Sequence, residues 1–156
     1  CKPQINQFNL MKLAEDVLLT LTPKLKKTQH NVTLNIPLDI ELTTYSGALI
    51  HILTNLINNA LIHAFEESTQ GTIDINASVI DESVQLEVRD NGIGIAEPIF
   101  DKIFTKFYTT KSDSGGSGLG LHICQKMAEE ELQGDIRAEN NKDKGSCFIL
   151  RIKQHL

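Results

Sequence analysis

Hydrophobic residues recur at helical spacing in three parts of the chain. Apolar positions three and four residues apart predict an amphipathic helix over residues 8–27. A second helix is predicted over residues 46–65, with Ser46 as its N-cap. A third is predicted over residues 119–132, ended by Gly134 in the usual C-terminal position. No internal repeat relates these segments.

Alternation of apolar and polar residues predicts strands between the helices. One strand is predicted near residues 32–36. Residues 73–79 and 84–88 alternate on either side of a short polar turn, which predicts an antiparallel hairpin. Two further strands are predicted near residues 136–139 and 147–152. Because helices and hairpins are mixed rather than strictly alternating, the pattern predicts an α+β two-layer sandwich and not a doubly wound sheet.

Composition and charge narrow the class of protein. With 156 residues, 40% hydrophobic and 22% charged, the chain is expected to form one globular domain over residues 1–156. A net charge of −5 argues against a nucleic-acid partner, and no apolar run is long enough to span a bilayer. The three cysteines (Cys1, Cys124 and Cys147) lack CxxC spacing, so we expect free thiols in a reducing, cytoplasmic compartment. Because the chain starts without a Met, we expect it to be part of a longer protein.

Two carboxamides lie within the second predicted helix. Asn55 and Asn59 are four residues apart and share one helix face, which His63 continues one turn later. Asn is a poor helix former, and an amide oxygen suits a Mg²⁺ ion that also binds phosphate oxygens. A solvated polar face is the alternative interpretation.

A carboxylate followed by glycines marks the end of the second hairpin strand, in Asp90-Asn91-Gly92-Ile93-Gly94. A carboxylate at a strand end can accept a hydrogen bond from an exocyclic amine, and glycines let backbone and ligand approach closely. A hairpin turn is the alternative, because the same residue types favour tight turns.

A glycine-rich stretch, Gly116-Ser117-Gly118-Leu119-Gly120-Leu121, leads into the third predicted helix. Its backbone N–H groups and the positive helix end favour an anion such as a polyphosphate. The spacing is that of neither the P-loop nor the dinucleotide motif, and a flexible linker is the alternative. Lys111, in the irregular segment before it, could pair with a phosphate. Together the carboxamides, the carboxylate and the glycine-rich stretch suit a single ligand, a metal-bound adenine nucleotide with several phosphates.

These residues resemble the ordered motifs of the GHKL superfamily, which comprises gyrase-type ATPases, heat-shock-90 chaperones, histidine kinases and mismatch-repair ATPases. The segment Asn55–Ala60 resembles its N box and Asp90–Ile95 its G1 box. The F box of sensor histidine kinases is matched by Ile103–Lys111, their G2 box by Gly116–Leu121 and the closing Gly-Thr-x-Phe by Gly145–Phe148. Four ordered boxes over nearly the whole chain make the resemblance specific.

The resemblance implies a Bergerat ATP-binding fold, a mixed sheet with helices on one face and a mobile ATP lid over about residues 109–118. It implies that Asn59 coordinates Mg²⁺ and that Asp90 binds the adenine amine. The catalytic residues it implies are Asn55, Asn59, His63 and Lys111. The ATP-binding residues it implies are Asp90, Gly92, Gly94, Ile95, Phe107, Tyr108, Gly116, Ser117, Gly118, Leu119, Gly120, Leu121 and Ser146, the last in place of the usual Thr.

Asn55 indicates which branch of the superfamily the chain resembles, and Ile62 is a departure that concerns the phosphate contact. The hydrolytic members carry a general-base Glu one turn before the metal-binding Asn; here that residue is Asn55, whose amide cannot accept a proton near neutral pH. This favours a two-component histidine kinase over a GHKL ATPase. Many members carry Lys or Arg where this chain has Ile62, and His63 and Lys111 are the candidates for that phosphate contact. A non-catalytic nucleotide sensor with the same fold is the other alternative.

The phosphoacceptor histidine is predicted to lie outside this chain, since no His here is followed by the acidic residue of an H box. The expected partners are therefore the histidine-containing dimerisation domain of the same kinase and, downstream, the receiver domain of a response regulator. Because the resemblance assigns dimerisation to that absent domain, we expect this chain to be a monomer with no membrane contact of its own.

Overall fold

The computed structural model describes residues 3–65, 70–105 and 120–156, which form a sheet covered by helices. Within these ranges the strands are Ile5–Asn9 (β1), Asn31–Asn35 (β2), Glu41–Tyr45 (β3), Thr72–Ile80 (β4), Ser83–Asp90 (β5), Asp135–Asn140 (β6) and Ser146–Lys153 (β7). The α-helices are Leu10–Lys26 (α1), Ser46–Asn59 (α2) and Gly120–Glu130 (α3), with a π-helix at Ala60–Ala64 and a 3₁₀-helix at Glu97–Ile99.

Five strands form a mixed sheet in the order β2-β4-β5-β7-β6. The pairs β4–β5, β5–β7 and β6–β7 are antiparallel, and β2–β4 is parallel. The predicted hairpin of β4 and β5 and the predicted closing strands β6 and β7 are confirmed. So is the predicted fold class, a two-layer sandwich of helices on a mixed sheet.

The core lies between the helices and one face of this sheet. Along β5, the side chains of Val84, Leu86 and Val88 are buried against the helices, and the residues between them point to the opposite face. Asp90 continues the buried series. Strand alternation therefore places this carboxylate on the helix side of the sheet, at the strand end.

A second, two-stranded sheet of β1 and β3 was not predicted from the sequence. These strands are antiparallel, with Ile5 opposite Tyr45. The far end of the chain supports the same strand: the Thr43 N–H donates to the Gln154 carbonyl at 2.9 Å, and the Leu156 N–H donates to the Thr43 carbonyl at 2.8 Å. Strand β3 thus holds segments from both ends of the described chain.

Two predicted helix starts were wrong. Helix α1 begins at Leu10 rather than near residue 8, because Asn9 is the N-cap and its side-chain oxygen accepts from the Lys12 N–H at 3.0 Å. Helix α2 follows β3 directly, so Tyr45 takes the N-cap position and Ser46 is the first helical residue. The Ser46 hydroxyl instead donates to the Asn6 side chain of β1 at 2.9 Å.

The expected role of Gly134 was also wrong. The left-handed residue after α3 is Gln133, with φ of 51°. Gly134 is required for another reason, since a Cβ atom there would lie 1.9 Å from the Arg151 carbonyl oxygen of β7. The absence of a side chain lets the end of α3 pass close to the sheet. Among the described residues, no helix is both long enough and apolar enough to cross a bilayer.

Candidate functional site

Asp90 is a buried carboxylate held by three donors from two segments. Its Oδ1 accepts from the backbone N–H of Gly92 at 2.9 Å and of Ser146 at 3.2 Å. Its Oδ2 accepts from the Ser146 hydroxyl at 2.8 Å. The residue is 4% exposed. Because a carboxylate has roughly four acceptor positions, these donors leave one position on Oδ2 unused within the described part of the chain.

The strand that supplies Ser146 approaches Asp90 because of Gly145. This glycine has φ of +86°, and a Cβ atom on it would lie 2.0 Å from the Asp90 carbonyl oxygen. That carbonyl accepts from the Asn141 side chain at 2.8 Å. The sequence identified Gly145 only as part of the closing motif, and it did not identify Asn141 at all. Both fix the backbone around Asp90.

The glycines after Asp90 serve contacts within the protein. No hairpin turn forms here, because the chain runs on towards the 3₁₀-helix and β5 pairs next with β7. A Cβ atom on Gly92 would lie 1.9 Å from the Ala64 carbonyl oxygen, and the Ile93 N–H donates to that oxygen at 2.7 Å. Gly92 is therefore needed for the loop to pack on the end of the π-helix.

Gly94 and Ile95 lie against Asn140, the last residue of the edge strand β6. Gly94 has φ of +79°, a conformation that favours glycine. The Ile95 N–H donates to Oδ1 of Asn140 at 2.8 Å, and Nδ2 of Asn140 donates to the Ile95 carbonyl at 2.7 Å. Asn140 was not identified from the sequence, because the residues around it are typical of an ordinary polar turn.

Helix α2 carries Asn55 beside the start of α3. Its Nδ2 donates to the His51 carbonyl one turn earlier at 2.9 Å. Its Oδ1 lies 3.1 Å from the position that a Cβ atom on Gly120 would occupy. The structure therefore brings a residue of the predicted N box next to Gly120, a residue of the predicted glycine-rich box.

Asn59 is the last residue of α2, where the α-helix changes to a π-helix. His63 lies in this π-helix, four residues beyond Asn59, and its place on the face of Asn55 and Asn59 stays a prediction. A π-helix bonds each residue to the fifth along rather than the fourth, so four residues no longer complete a turn. Such local π-helices are frequent at functional sites.

Several predicted site residues lie outside the described residues. They are Phe107, Tyr108, Lys111, Gly116, Ser117, Gly118 and Leu119, together with the predicted lid over residues 109–118. Of the predicted glycine-rich box, the structure describes Gly120 and Leu121 at the start of α3, with Leu121 packed against the core.

A cavity of about 610 Å³ lies beside the site. Phe100, Phe104, Gln125, Ala138 and Asn140 are among the residues that line it. Asn140 lines this cavity and also binds the loop after Asp90. Asp90, Asn55 and Asn59 do not line the cavity. The cavity is therefore an adjoining space and not the place where Asp90 would meet a ligand.

The described cysteines are free, as the sequence predicted, and the structure shows that both are buried; Cys1 lies outside the described residues. Burial raises the pKa of the Cys124 thiol to about 12 and that of Cys147 to about 11. Both thiols stay protonated near neutral pH, so neither is a nucleophile there. Within the described ranges, no group of three or more His, Cys, Asp or Glu residues could hold a metal ion.

These features define an α+β two-layer protein in which a buried carboxylate at a strand end and an amide-bearing helix meet at one loop. The chain belongs to the family of histidine kinase-, DNA gyrase B- and HSP90-like ATPases, whose sequence model matches residues 44–156. Within this family it is a histidine kinase catalytic ATPase domain of the two-component type. The predicted resemblance is confirmed. Domains of this family bind ATP, generally with Mg²⁺.

Individual relatives support this placement. The chain is 34% identical over 140 residues to the aerobic respiration control sensor protein ArcB of Escherichia coli K12, an alignment that covers 86% of this chain and 18% of ArcB. The chain therefore spans less than a fifth of that relative's length. The catalytic domain of histidine kinase ThkA is 32% identical, with a TM-score of 0.86 and 97% of both chains covered. ThkA in complex with the response regulator protein TrrA has a TM-score of 0.81 at 28% identity, covering 96% of this chain and 42% of that one.

Proposed function

We propose that this domain binds ATP with Mg²⁺ and transfers the γ-phosphoryl group to a histidine on a separate dimerisation and phosphoacceptor domain. The observation that carries the proposal is the buried Asp90 carboxylate, whose Oδ2 has one acceptor position left. The amine of adenine is a donor that matches this position. Guanine presents a carbonyl oxygen there, and two acceptors would repel each other. The site therefore selects ATP over GTP.

Asn59 is our proposed Mg²⁺ ligand. No carboxylate or histidine cluster is available for a metal in the described part of the chain. The donor chemistry suits Mg²⁺ nonetheless, since this ion is often bound by few protein oxygens together with waters and substrate phosphates. When held by Asn59, Mg²⁺ would neutralise negative charge that develops during transfer. Asn59 supplies a neutral oxygen at the helix end, and the rest of the coordination is left to the nucleotide and water.

Asn55 sets the type of reaction in this proposal. A carboxamide cannot take a proton from water near neutral pH, so hydrolysis lacks a general base at this position. An imidazole nitrogen needs no such base: it attacks the γ-phosphorus in line, the bond to the bridging oxygen breaks, and ADP leaves. The protein's contribution is then positioning and charge neutralisation. Many superfamily members carry Lys or Arg at the position of Ile62. We propose that His63 and Lys111 make the phosphate contact of that basic residue in this chain.

The partners in this proposal are a dimerisation domain of the same kinase and the receiver domain of a response regulator. The complex of ThkA with the response regulator protein TrrA supports the second partner by similarity. Since ATP is the substrate, the domain would work in the cytoplasm.

The proposal is tested by supplying the phosphoacceptor domain of a related kinase in trans with γ-³²P-labelled ATP and Mg²⁺. We expect acid-labile, base-stable label on that domain, and none on this chain alone. The Asp90→Asn variant is the matched control and should lose the label at low ATP concentration. Nucleotide binding without transfer to any acceptor would favour the non-catalytic sensor. Steady phosphate release by the isolated chain, abolished in Asn59→Ala, would favour an ATPase.

A further inference from the structure

We propose that Asn140 is a positioning residue for the nucleotide, holding the loop after Asp90 in its binding conformation before ATP arrives. This inference rests on the proposed ATP-binding function. Asn140 lies 50 residues beyond Asp90 in the sequence and belongs to none of the predicted motifs.

The contact is a two-point clamp on one backbone unit. Oδ1 of Asn140 accepts from the Ile95 N–H at 2.8 Å, while Nδ2 donates to the Ile95 carbonyl at 2.7 Å. The carboxamide thus pairs with both polar groups of Ile95, as a neighbouring strand would. Two opposed hydrogen bonds fix the orientation of the peptide as well as its distance.

The Asn140 side chain also lies against Gly94, which has a positive φ. Gly94 has φ of +79°, and a Cβ atom on it would lie 3.0 Å from Oδ1 of Asn140. The positive φ favours glycine at position 94, a Cβ atom there would crowd Oδ1 of Asn140, and Asn140 in turn holds the residue that follows.

Asn140 is placed by the same strand pair that builds the Asp90 site. In the β6–β7 register, Asn140 is directly opposite Ser146, whose N–H and hydroxyl bind the Asp90 carboxylate. Paired residues of antiparallel strands share a face of the sheet. One strand pair therefore sets both the carboxylate, through Ser146, and the loop beside it, through Asn140.

Because Asn140 is exposed, removing its side chain should release the loop without unfolding the sheet. In Asn140→Ala, ATP would have to order the loop as it binds, and we expect its affinity to fall roughly tenfold, the order set by two lost hydrogen bonds. The Ile95 amide should exchange faster with solvent in the free variant and recover its protection at saturating ATP. A merely structural role predicts no such recovery.

Asn35→Ala is the matched control. Asn35 ends β2, the opposite edge strand of the sheet, and its exposed carboxamide donates to the Asn76 side chain at 2.9 Å. Calorimetry with ATP and Mg²⁺ should show wild-type affinity for this control. Asn140→Gln, which keeps both polar groups on a longer stem, should regain part of the lost affinity and serves as the second variant if Asn140→Ala does not fold.

The outcomes separate the two proposals. Wild-type ATP affinity in Asn140→Ala, or an equal loss in Asn35→Ala, would overturn the role of Asn140 while leaving ATP binding intact. Failure of the unaltered protein to bind ATP at all would overturn the proposed function, and the positioning role with it.

Discussion

The Ala64 carbonyl oxygen accepts a hydrogen bond from the Ile93 N–H at 2.7 Å, joining the end of the asparagine-bearing helix to the loop after Asp90. The contact is close because Gly92 has no side chain to separate the two segments. At the other end of the site, Asn55 lies against Gly120. One helical segment therefore touches both the loop proposed to bind adenine and the helix that follows the predicted lid.

Replacement of Asp90 by asparagine should reverse the preference for ATP over GTP. Oδ1 accepts from two backbone N–H groups, so the amide oxygen of the variant must take that position. Its NH₂ group then replaces Oδ2 and faces the adenine amine, donor against donor. A lost hydrogen bond to a charged group costs about 2 kcal/mol, or roughly 30-fold in affinity. Calorimetric titration with both nucleotides measures the effect, and an equal loss for ATP and GTP would argue against base recognition by Asp90.

The Asn59→Ala variant should lose the Mg²⁺-dependent part of ATP binding, roughly tenfold or more, and keep its fold. The site is at a helix end and not in the core, and alanine is a better helix former. Binding measured with Mg²⁺ and with EDTA gives the ratio to compare. Asn58→Ala is the matched control, because that neighbour accepts from the Lys24 ammonium at 3.3 Å. Equal Mg²⁺ dependence in both variants would exclude Asn59 as the ligand.

Gly145→Ala should destabilise the domain by about 3 kcal/mol. The new Cβ atom would lie 2.0 Å from the Asp90 carbonyl oxygen, at a φ of +86° that alanine rarely adopts. Urea unfolding measures the change. Gly47→Ala is the control: it lies in α2 with nothing within 4 Å of the new atom, and it should raise stability by up to about 1 kcal/mol. A neutral Gly145→Ala would mean that the strand can move away from Asp90.

Stability should fall as pH is lowered below about 6.5, in part because of His30. Its Nδ1 accepts from the Gly71 N–H at 2.9 Å and its ring stacks on Phe65, with centroids 4.3 Å apart. Burial lowers the pKa of His30 from 6.5, so the unfolded chain binds the proton more tightly than the folded one. Its stabilising contribution is complete above pH 6.5 and is lost as pH falls through the lower folded pKa.

The His30→Gln variant isolates this contribution, since glutamine can still accept a hydrogen bond but does not titrate in this range. The free energy of unfolding should depend less steeply on pH between 7 and 5 in the variant. Identical slopes for the two proteins would show that His30 does not contribute.

The sequence was most informative where one chain segment decides the structure. Alternation along the segment of β5 predicts the hairpin, because a strand's two faces depend only on residue order. Interactions between distant segments were missed. Ser46 is a good N-cap by residue type, but its hydroxyl is used by Asn6 of β1. Strands β1 and β3 are polar and lack a clear alternating pattern, so their formation depends on their pairing with each other.

The candidate site shows the same division. Motif residues such as Asp90 and Ser146 are recognisable in order along the chain, and the structure places them in direct contact. The residues that hold the motifs in place, Asn140 and Asn141, resemble any polar turn in the sequence. Only the fold shows that their carboxamides reach backbone groups about 45 and 51 residues away.

The attachment of Thr43 to both Gln154 and Leu156 has a consequence for folding kinetics. Contacts between residues more than a hundred positions apart form slowly, because a long loop must close before they contribute. During synthesis, β3 leaves the ribosome long before the residues that complete its hydrogen bonds. We therefore expect this corner of the domain to assemble last, and deletion of residues 154–156 to speed unfolding of the domain with little effect on its folding rate.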